Sequence, residues 1–404
     1  MISLMAWRNI WRNKMRSIVV ILSVAIGLFS GIMVLGLYKG MMRGRIKTVI
    51  YAEVSHLQIH DTNFKKDFEP NYTIQNASAI ITSLKKYTEV KAIATRTVTT
   101  GMLSTTTGSA GVQINGIETE AEQVVSQLNK KIKEGKWFNK KKTNEIFIGY
   151  KLAKKMKLKT GNKIVLTFTD IESNIVSSAF RVAAIYESNN APLDEMNVYV
   201  IQNELNKILG LQNQIHEIAI LLKKDELLES AQEKISKNFK NLSIENWKEL
   251  SPETNLMVET VNISSYIIMA IILLALAFGI INTMLMAILE RTNEIGMMLA
   301  LGMNKFKMFL LVLSETIFLT FAGMPLGISV AWLVTNYFNK HGLTWGRIGK
   351  EMMNSFGFST SIYPEFPSEK LAITTLFVLA TALLSCIYPA VKALALNPSD
   401  ALRK

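Results

Sequence analysis

Two histidines and a few carboxylates are the residues of this sequence that could do chemistry. His56 and His60 lie four apart in a segment that alternates like a β-strand, so both face one side with Gln58 between them. No third ligand follows at a metal-site spacing, and the H-E-x-x-H pattern of zinc helices is missing. The sequence also lacks the G-x-x-x-x-G-K-[ST] loop that binds nucleotide phosphates. We therefore predict no catalytic residue, no metal site and no cofactor in this chain.

A single carboxylate, Glu315, lies inside the apolar run 308–338. A charge in hydrocarbon costs at least about 2.5 kcal/mol, so such residues usually face protein or water. A proton relay is one explanation, but no second acidic residue lies in any apolar run. We favour a structural role in which Glu315 accepts hydrogen bonds from neighbouring helices. Asn282 and Thr283, in the run 261–289, are expected to face another helix, because an amide in hydrocarbon would be unpaired.

The stretch between the second and third apolar runs, ERTNEIGMMLALGMNK (290–305), starts with charges and continues with apolar residues. Helical spacing divides its apolar residues between two faces, one with Ile295, Met298 and Leu299 and another with Met297 and Leu301. Gly302 is placed to end this helix and Asn304 to cap the next one. A loop that only connects would be polar. A short helix with exposed apolar groups therefore predicts a partner, either the bilayer surface or another protein.

Four apolar runs set the class of the protein. They cover residues 17–38, 261–289, 308–338 and 371–391, and hydrophobic residues make up 49% of the 404-residue chain. A helix as long as the first run measures about 33 Å, which spans a hydrocarbon core of about 30 Å. Helices buried in a soluble core are rarely this long, so we predict four transmembrane helices. The only cysteine, Cys386, excludes a disulfide within the chain.

Basic residues near the runs predict the orientation, because short cytoplasmic loops are rich in Lys and Arg. Segments 1–16, 290–307 and 392–404 carry them, which places all three, with both termini, on the cytoplasmic side of a bacterial inner membrane. Trp7 and Trp11 share one helix face, as is typical of an interfacial helix. A signal peptide is disfavoured because the following apolar run is too long. Anionic lipid explains the net charge of +13, with no need for a nucleic acid partner.

Segments 39–260 and 339–370 then lie on the outer side of the membrane. The first continues as a helical stalk to about Tyr51, and beyond it short strand patterns alternate with helical ones. This mixture predicts an α+β periplasmic domain, with two subdomains, inserted between the first and second transmembrane helices. Residues 120–133 are predicted to be helical. The lysine-rich stretch 130–142 is either a docking patch or a solvated face.

Several motifs are spread over the chain. They are ERTNEIGMMLALG (290–302) with FGIINTMLMAILER before it, LLVLSETIFLTFAGMPLGI in the third run, YPAVKALALNPSDALRK at the end, and EGKWF followed by NEIFIGYKLAKKMKLKTGNKIVL in the outer segment. Together they resemble the permeases of ATP-binding-cassette (ABC) transporters of the MacB/FtsX/LolC–LolE type. LMAWRNIWRNKMRS near the start and SHLQIHD (55–61) resemble the lipoprotein-releasing branch of that family. The resemblance covers essentially the whole chain.

The resemblance implies a transport permease and not an enzyme. In this family two permeases pair, either with themselves or with a paralogue, and bind a dimer of ATPase subunits that holds ATP and Mg. The loop between the second and third spans carries a coupling helix that seats on the ATPase, and closure of the ATPase is transmitted to the periplasmic domains. By motif position, the residues implied in coupling are Glu290, Arg291, Glu294, Ile295, Gly296, Leu299, Ala300 and Gly302.

The implied function is the release of lipoproteins from the outer leaflet of the inner membrane, for transfer to the outer membrane through a periplasmic lipoprotein chaperone. An ATPase domain is absent from the sequence, which favours this branch over the macrolide exporters. Two alternatives stay open: efflux of peptides or small molecules, and regulation of a periplasmic hydrolase as in the FtsX branch. One departure from the family is Asn162, where an acidic residue is more common.

Overall fold

The computed structural model describes residues 2–12, 14–139, 142–188, 190–344 and 346–394. The chain divides into two compact units. One comprises Met1–Met42, Val258–Leu343 and Ile362–Lys404, and the other comprises Arg43–Met257 and Thr344–Ser361. Residues 395–404 of the predicted cytoplasmic tail, which begins at position 392, lie outside the described residues. So do Lys140 and Lys141 of the lysine-rich stretch.

The helices follow the segments with apolar or amphipathic patterns. In chain order they are α1 (Ile2–Arg12), α2 (Lys14–Thr48), α3 (Phe64–Asp67), α4 (Ala77–Leu84), α5 (Thr119–Val125), α6 (Tyr150–Lys155), α7 (Ala191–Met196), α8 (Gln202–Leu209), α9 (Leu228–Asn238), α10 (Trp247–Leu250), α11 (Pro252–Glu290), α12 (Thr292–Ala300), α13 (Lys305–His341), α14 (Arg347–Ser355) and α15 (Ser368–Leu394). A π-helical turn, Val49–Glu53, extends α2, and 3-10 turns cover Leu128–Lys131 and Asp225–Leu227.

Among the described residues, α2, α11, α13 and α15 are the four helices long and apolar enough to cross a membrane. Each contains one of the four predicted runs, which confirms the number and the order of the membrane helices. Each helix also continues past its apolar run into polar sequence. The predicted helical stalk is present, since α2 runs unbroken from Lys14 to Thr48 and its π-helical turn ends at Glu53.

Glycines allow α13 to pack closely against α2. A Cβ atom added at Gly323 would lie 2.8 Å from the carbonyl oxygen of Ile21, and one added at Gly327 would lie 2.7 Å from that of Ala25. The two glycines are four residues apart and lie on one helix face, as in small-residue packing motifs of membrane helices. The close approach of α13 to α2 therefore depends on these two glycines. The helix also continues through Pro325.

The strands belong to the inserted segment 39–260, apart from two short ones in the segment 339–370. In chain order they are β1 (Leu57–Asp61), β2 (Val90–Thr105), β3 (Gly108–Ile117), β4 (Ile132–Gly135), β5 (Glu145–Gly149), β6 (Lys163–Thr169), β7 (Ile175–Tyr186), β8 (Asn197–Ile201), β9 (Glu217–Leu222), β10 (Leu242–Asn246), β11 (Leu343–Thr344) and β12 (Ser361–Ile362).

The inserted domain is built on one mixed sheet of ten strands. Their order is β10-β1-β9-β2-β3-β8-β5-β7-β4, and β6 pairs with both β2 and β7. The β3–β8 and β5–β7 pairs are parallel. Three apolar cores pack on this sheet. They lie around Leu57, Ile59 and Ile220, around Ile146 and Val198, and around Phe147 and Tyr186. The predicted mixture of helices and strands is confirmed, and the two predicted subdomains share a single sheet.

The prediction of a helix over 120–133 is wrong beyond Val125. Helix α5 ends there, and Gln127 adopts a left-handed conformation with φ of 51°. The chain then forms the 3-10 turn and strand β4, in which Ile132 pairs with Tyr186 of β7. Pairing with a distant strand outweighs a local helical preference here, because sequence periodicity carries no information about that partner.

Candidate functional site

The short helix predicted between the second and third spans is present as α12. Gly302 follows it with φ of 91°, a left-handed conformation that suits glycine, and its N–H bonds to the Leu299 carbonyl oxygen at 3.1 Å. The side chain of Asn304 then accepts a hydrogen bond from the backbone N–H of Phe306 at 3.1 Å and so caps α13. The predicted stop and start signals therefore act as expected.

Helix α12 has one buried face and one exposed face. Ile295 is 5% exposed and packs with Ile288, Met308 and Leu311. On the other side, Met297 and Leu301 are 54% and 82% exposed. Phe306, just beyond the helix, is 65% exposed. The first predicted apolar face thus anchors α12 to the bundle, and the second faces outward with an apolar surface that no described residue covers.

Glu315 lies at the centre of a buried polar cluster. Its Oε1 accepts hydrogen bonds from Asn9 Nδ2 at 2.7 Å and from Arg291 Nη1 at 3.2 Å. Arg16 Nη2 lies 3.9 Å from its Oε2. Glu315 is only 7% exposed, so its charge would be costly without these partners. The arrangement agrees with the structural role favoured from the sequence, and it joins α1, α2, α12 and α13.

A second ion pair holds the exposed edge of this cluster. Arg12 at the end of α1 pairs with Glu294 of α12, and Arg291 Nε lies 3.6 Å from the same carboxylate. The hydrogen bond from Arg12 holds the pKa of Glu294 below its usual range. Because both side chains are about half exposed, the pair positions α1 against α12 more than it stabilises the fold.

The structure separates the predicted site residues into groups. Arg291, Glu294 and Glu315 come together in the polar cluster. Ile295 and Gly296 are buried in α12 and Leu299 is half-buried, whereas Glu290, Ala300 and Gly302 are exposed. Sequence reasoning missed Asn9, Arg12 and Arg16 as cluster members. The spacing of Asn9 and Arg12 was the available signal, because it places both on one face of α1, whereas Arg16 lies on α2.

Asn282 and Thr283 lie apart from this cluster. Thr283 donates from its hydroxyl to the Gly279 carbonyl oxygen of its own helix at 2.7 Å. Asn282 is exposed, and no described residue of the chain covers it. A helix that faces Asn282 would have to come from another chain, so that prediction stays open.

Two comparisons with known families decide what the chain is. Residues 17–238 match the MacB-like periplasmic core domain, and residues 266–398 match the FtsX-like permease C-terminal domain. The chain is an ABC transporter permease of the MacB/FtsX/LolC–LolE type. It is therefore a multi-pass inner-membrane protein and the permease component of a transporter.

Individual relatives of the permease come from different branches. It is 22% identical to the lipoprotein-releasing system transmembrane protein LolE of Haemophilus influenzae, over 94% of this chain and 92% of that one. It is also 22% identical to the macrolide export ATP-binding/permease protein MacB of Campylobacter jejuni, over 83% of this chain and 53% of that one. The periplasmic region of MacB from Actinobacillus actinomycetemcomitans aligns with a TM-score of 0.36 at 14% identity, covering 54% of this chain and 95% of that one.

Polar groups also cluster inside the unit that contains the periplasmic domain of the permease, around the last turns of α2 and the start of α11. Arg45, near the end of α2, donates from Nη2 to the hydroxyl of Thr254 at the start of α11 at 2.9 Å. Arg45 also pairs with Glu53, which accepts a hydrogen bond from Asn190 Nδ2 at 2.7 Å. These contacts tie the two helix ends to the loop before α7. No sequence motif pointed to them.

His56 and His60 of the permease contact carboxylates inside the periplasmic domain. His60 Nε2 lies 3.3 Å from Glu217 Oε2, and the same carboxylate pairs with Arg96 at 2.7 Å. His56 Nε2 lies 3.0 Å from Asp225 Oδ1. Each imidazole therefore has a carboxylate partner of its own, and the two rings do not share one site.

Asn162 stabilises the turn that contains Gly161. Its Oδ1 accepts a hydrogen bond from the Lys159 backbone N–H at 2.7 Å, in the turn that contains Gly161. An amide oxygen is an adequate acceptor for this bond. The departure from the family pattern therefore leaves the turn intact.

Proposed function

We propose that this permease releases lipoproteins from the outer leaflet of the inner membrane, driven by a separate ATPase that docks on α12. The observation that carries the ATPase docking is the exposed apolar face of Met297, Leu301 and Phe306 on a helix whose other face is anchored in the bundle. Support for the lipoprotein cargo comes from the similarity to LolE over nearly the whole chain.

The contacts around α12 offer a path for mechanical coupling. A push on α12 reaches α1 through Glu294 and Arg12, and reaches α13 through Arg291 and Glu315. Helix α13 is in close contact with α2 at its glycines, and α2 is one unbroken helix from Lys14 to Thr48. A rigid helix transmits displacement better than a flexible linker. Substrate in this scheme need not cross the membrane.

The remaining features of the proposal follow from the position of α12. An ATPase on this loop requires that the loop and both termini face the cytoplasm, with the inserted domain in the periplasm beside a lipoprotein chaperone. A second permease, the same chain or a paralogue, would supply the helix that faces Asn282. This residue lies in an otherwise apolar exposed stripe of α11 that includes Phe278 and Met286.

The test is a release assay with the permease, its ATPase and a fluorescent lipoprotein in proteoliposomes, with a soluble lipoprotein chaperone as acceptor. We expect ATP-dependent transfer to the acceptor. We expect none when residues 294–302 are replaced by a Gly-Ser segment. Ile26→Trp, on an exposed face of α2, serves as a control for insertion. ATPase that co-purifies equally well with the Gly-Ser variant would show that the loop is only a connector.

Efflux is the second candidate, because the family match of the inserted domain is to MacB. The periplasmic domain separates the candidates, since a lipoprotein chaperone, an efflux adaptor and a cell-wall hydrolase are different binding partners. Capture of an efflux adaptor by this domain, with no lipoprotein transfer in the assay, would favour efflux. Capture of a hydrolase with no transfer would favour the FtsX-like regulator.

A further inference from the structure

A cavity of about 380 Å³ lies behind the exposed face of α12, where α1 and the start of α2 meet α11, α12 and α13. Its polar lining consists of Asn9, Arg12, Arg16, Arg291, Glu294 and Glu315. The rest of the wall is apolar and includes Met5, Met284, Ala287, Ile288, Met308 and Leu311. One cavity therefore combines a charged end with an apolar wall.

The charged end has more donors than its own residues use. Among the lining residues, three guanidinium groups face two carboxylates, and Glu290, which does not line the cavity, also interacts with Arg16. The side chains of Arg16 and Arg291 are each only 10% exposed. Within the described part of the chain, Arg16 Nε and Nη1 and Arg291 Nε and Nη2 have no hydrogen-bond partner. Buried donors are costly unless an acceptor meets them, and an anion in the cavity would supply one.

The Glu315 carboxylate cannot supply the missing acceptors. Its Oε1 is already shared between Asn9 and Arg291, and Arg16 Nη2 is 3.9 Å from Oε2, beyond a hydrogen bond. Glu294 is engaged by Arg12 at the exposed edge. A phosphate group matches what is left, because its oxygens accept paired N–H bonds from guanidinium groups.

We propose that this cavity binds the phosphate headgroup of an anionic phospholipid, with its chains along the apolar wall. The cluster lies at the level where the apolar runs 261–289 and 308–338 end and begin, which is where headgroups lie in a bilayer. Helix α1 beside it exposes Trp7 and Trp11, residues that favour the same interface. This position favours a lipid over a soluble anion. It does not depend on which cargo the permease transports.

The test uses the full chain, purified in detergent and stripped of lipid. Phosphatidylglycerol, phosphatidylethanolamine and inorganic phosphate are added in separate samples, and bound lipid is counted by native mass spectrometry alongside the melting temperature. We expect phosphatidylglycerol to be retained and to raise the melting temperature. Arg16→Gln and Arg291→Gln should weaken its binding roughly tenfold or more, since each removes charge-assisted hydrogen bonds.

Arg8→Gln is the matched control, because Arg8 is exposed on α1 and does not line the cavity. It removes the same charge, so equal loss of binding in Arg8→Gln would mean unspecific attraction and would overturn the proposal. An equal shift with inorganic phosphate would identify a soluble anion and overturn the lipid assignment. Arg16→Lys and Arg291→Lys keep the charge but lose the planar fork. If the glutamine variants do not fold, binding is measured with these two lysine variants instead. Unchanged phosphatidylglycerol binding in both lysine variants would also refute the site.

Discussion

Arg291, which directly precedes α12, and Glu315 of α13 are 24 residues apart in the chain, and Nη1 of the arginine donates to Oε1 of the glutamate at 3.2 Å. Both residues are buried, and the same carboxylate oxygen accepts a hydrogen bond from Asn9 of α1. The loop between the second and third spans is thus fastened to the interior of the bundle. A force applied to this loop therefore acts on the buried ion pair between Arg291 and Glu315.

Glu315→Gln should destabilise the permease by about 3 kcal/mol, since removing one partner of a buried ion pair leaves the other charge uncompensated. Arg16 and Arg291 would both lose their counter-charge. Glu290→Gln is the control, because Glu290 is exposed. Denaturant titration of each variant in detergent measures the difference in the free energy of unfolding. Equal stability of the two variants would contradict a structural role for Glu315.

Glu294→Trp and Gly296→Trp should abolish substrate-stimulated ATPase activity while leaving membrane insertion intact. Tryptophan at position 294 replaces the partner of Arg12, and at position 296 it replaces a buried glycine. The measurement is ATP hydrolysis by the reconstituted complex with and without lipoprotein. Normal stimulation in both variants would rule out a coupling role for these two residues.

Gly323→Ala and Gly327→Ala should each destabilise the membrane unit by about 1–3 kcal/mol, the usual effect of overpacking. The added Cβ atoms would come within 2.8 Å or less of backbone oxygens of α2, which cannot move aside as a side chain can. Gly279→Ala is the matched control, because a Cβ there meets nothing within 4 Å. In a helix that substitution should stabilise by roughly 0.5–1 kcal/mol. Equal melting temperatures for all three variants would show that α13 and α2 are not in tight contact.

The buried His60 should make part of the stability of the periplasmic domain depend on pH. Burial alone would lower its pKa, but hydrogen bonds to Glu217 and Glu245 outweigh burial and raise the pKa above the ordinary value of 6.5. A raised pKa in the folded state means that protonated His60 stabilises the fold. This stabilisation is full below pH 6.5 and is lost as the pH rises through the folded-state pKa.

His60→Gln isolates this contribution from that of the other buried histidines. The wild-type protein should exceed the variant in free energy of unfolding by the largest amount near pH 6. This difference should shrink as the pH rises through the folded-state pKa of His60. Hydrogen exchange of strand β1, measured on the full chain at several pH values, reports the difference. An advantage that is constant with pH would show that His60 stays neutral.

Local patterns in the sequence were sufficient for the membrane helices of this permease and for the limits of α12. The four apolar runs determined the membrane helices through their length alone, since helix rise and bilayer thickness leave few alternatives. Gly302 and Asn304 likewise set the limits of α12 and α13, because each acts on backbone groups within a few residues of itself. The faces of α12 were also predicted correctly, since helical periodicity is local.

Tertiary structure alone decided which polar groups meet. Asn9 bonds to Glu315 across 306 positions in the chain, and no spacing rule connects two residues so far apart. The strand pairing of Ile132 with Tyr186 is of the same kind, and it replaced the end of a predicted helix. The polar cluster, its cavity and the contacts of Arg45 with Thr254 and Glu53 all depend on how separate segments pack. That packing is the sum of many contacts between distant segments, so a single local pattern does not encode it.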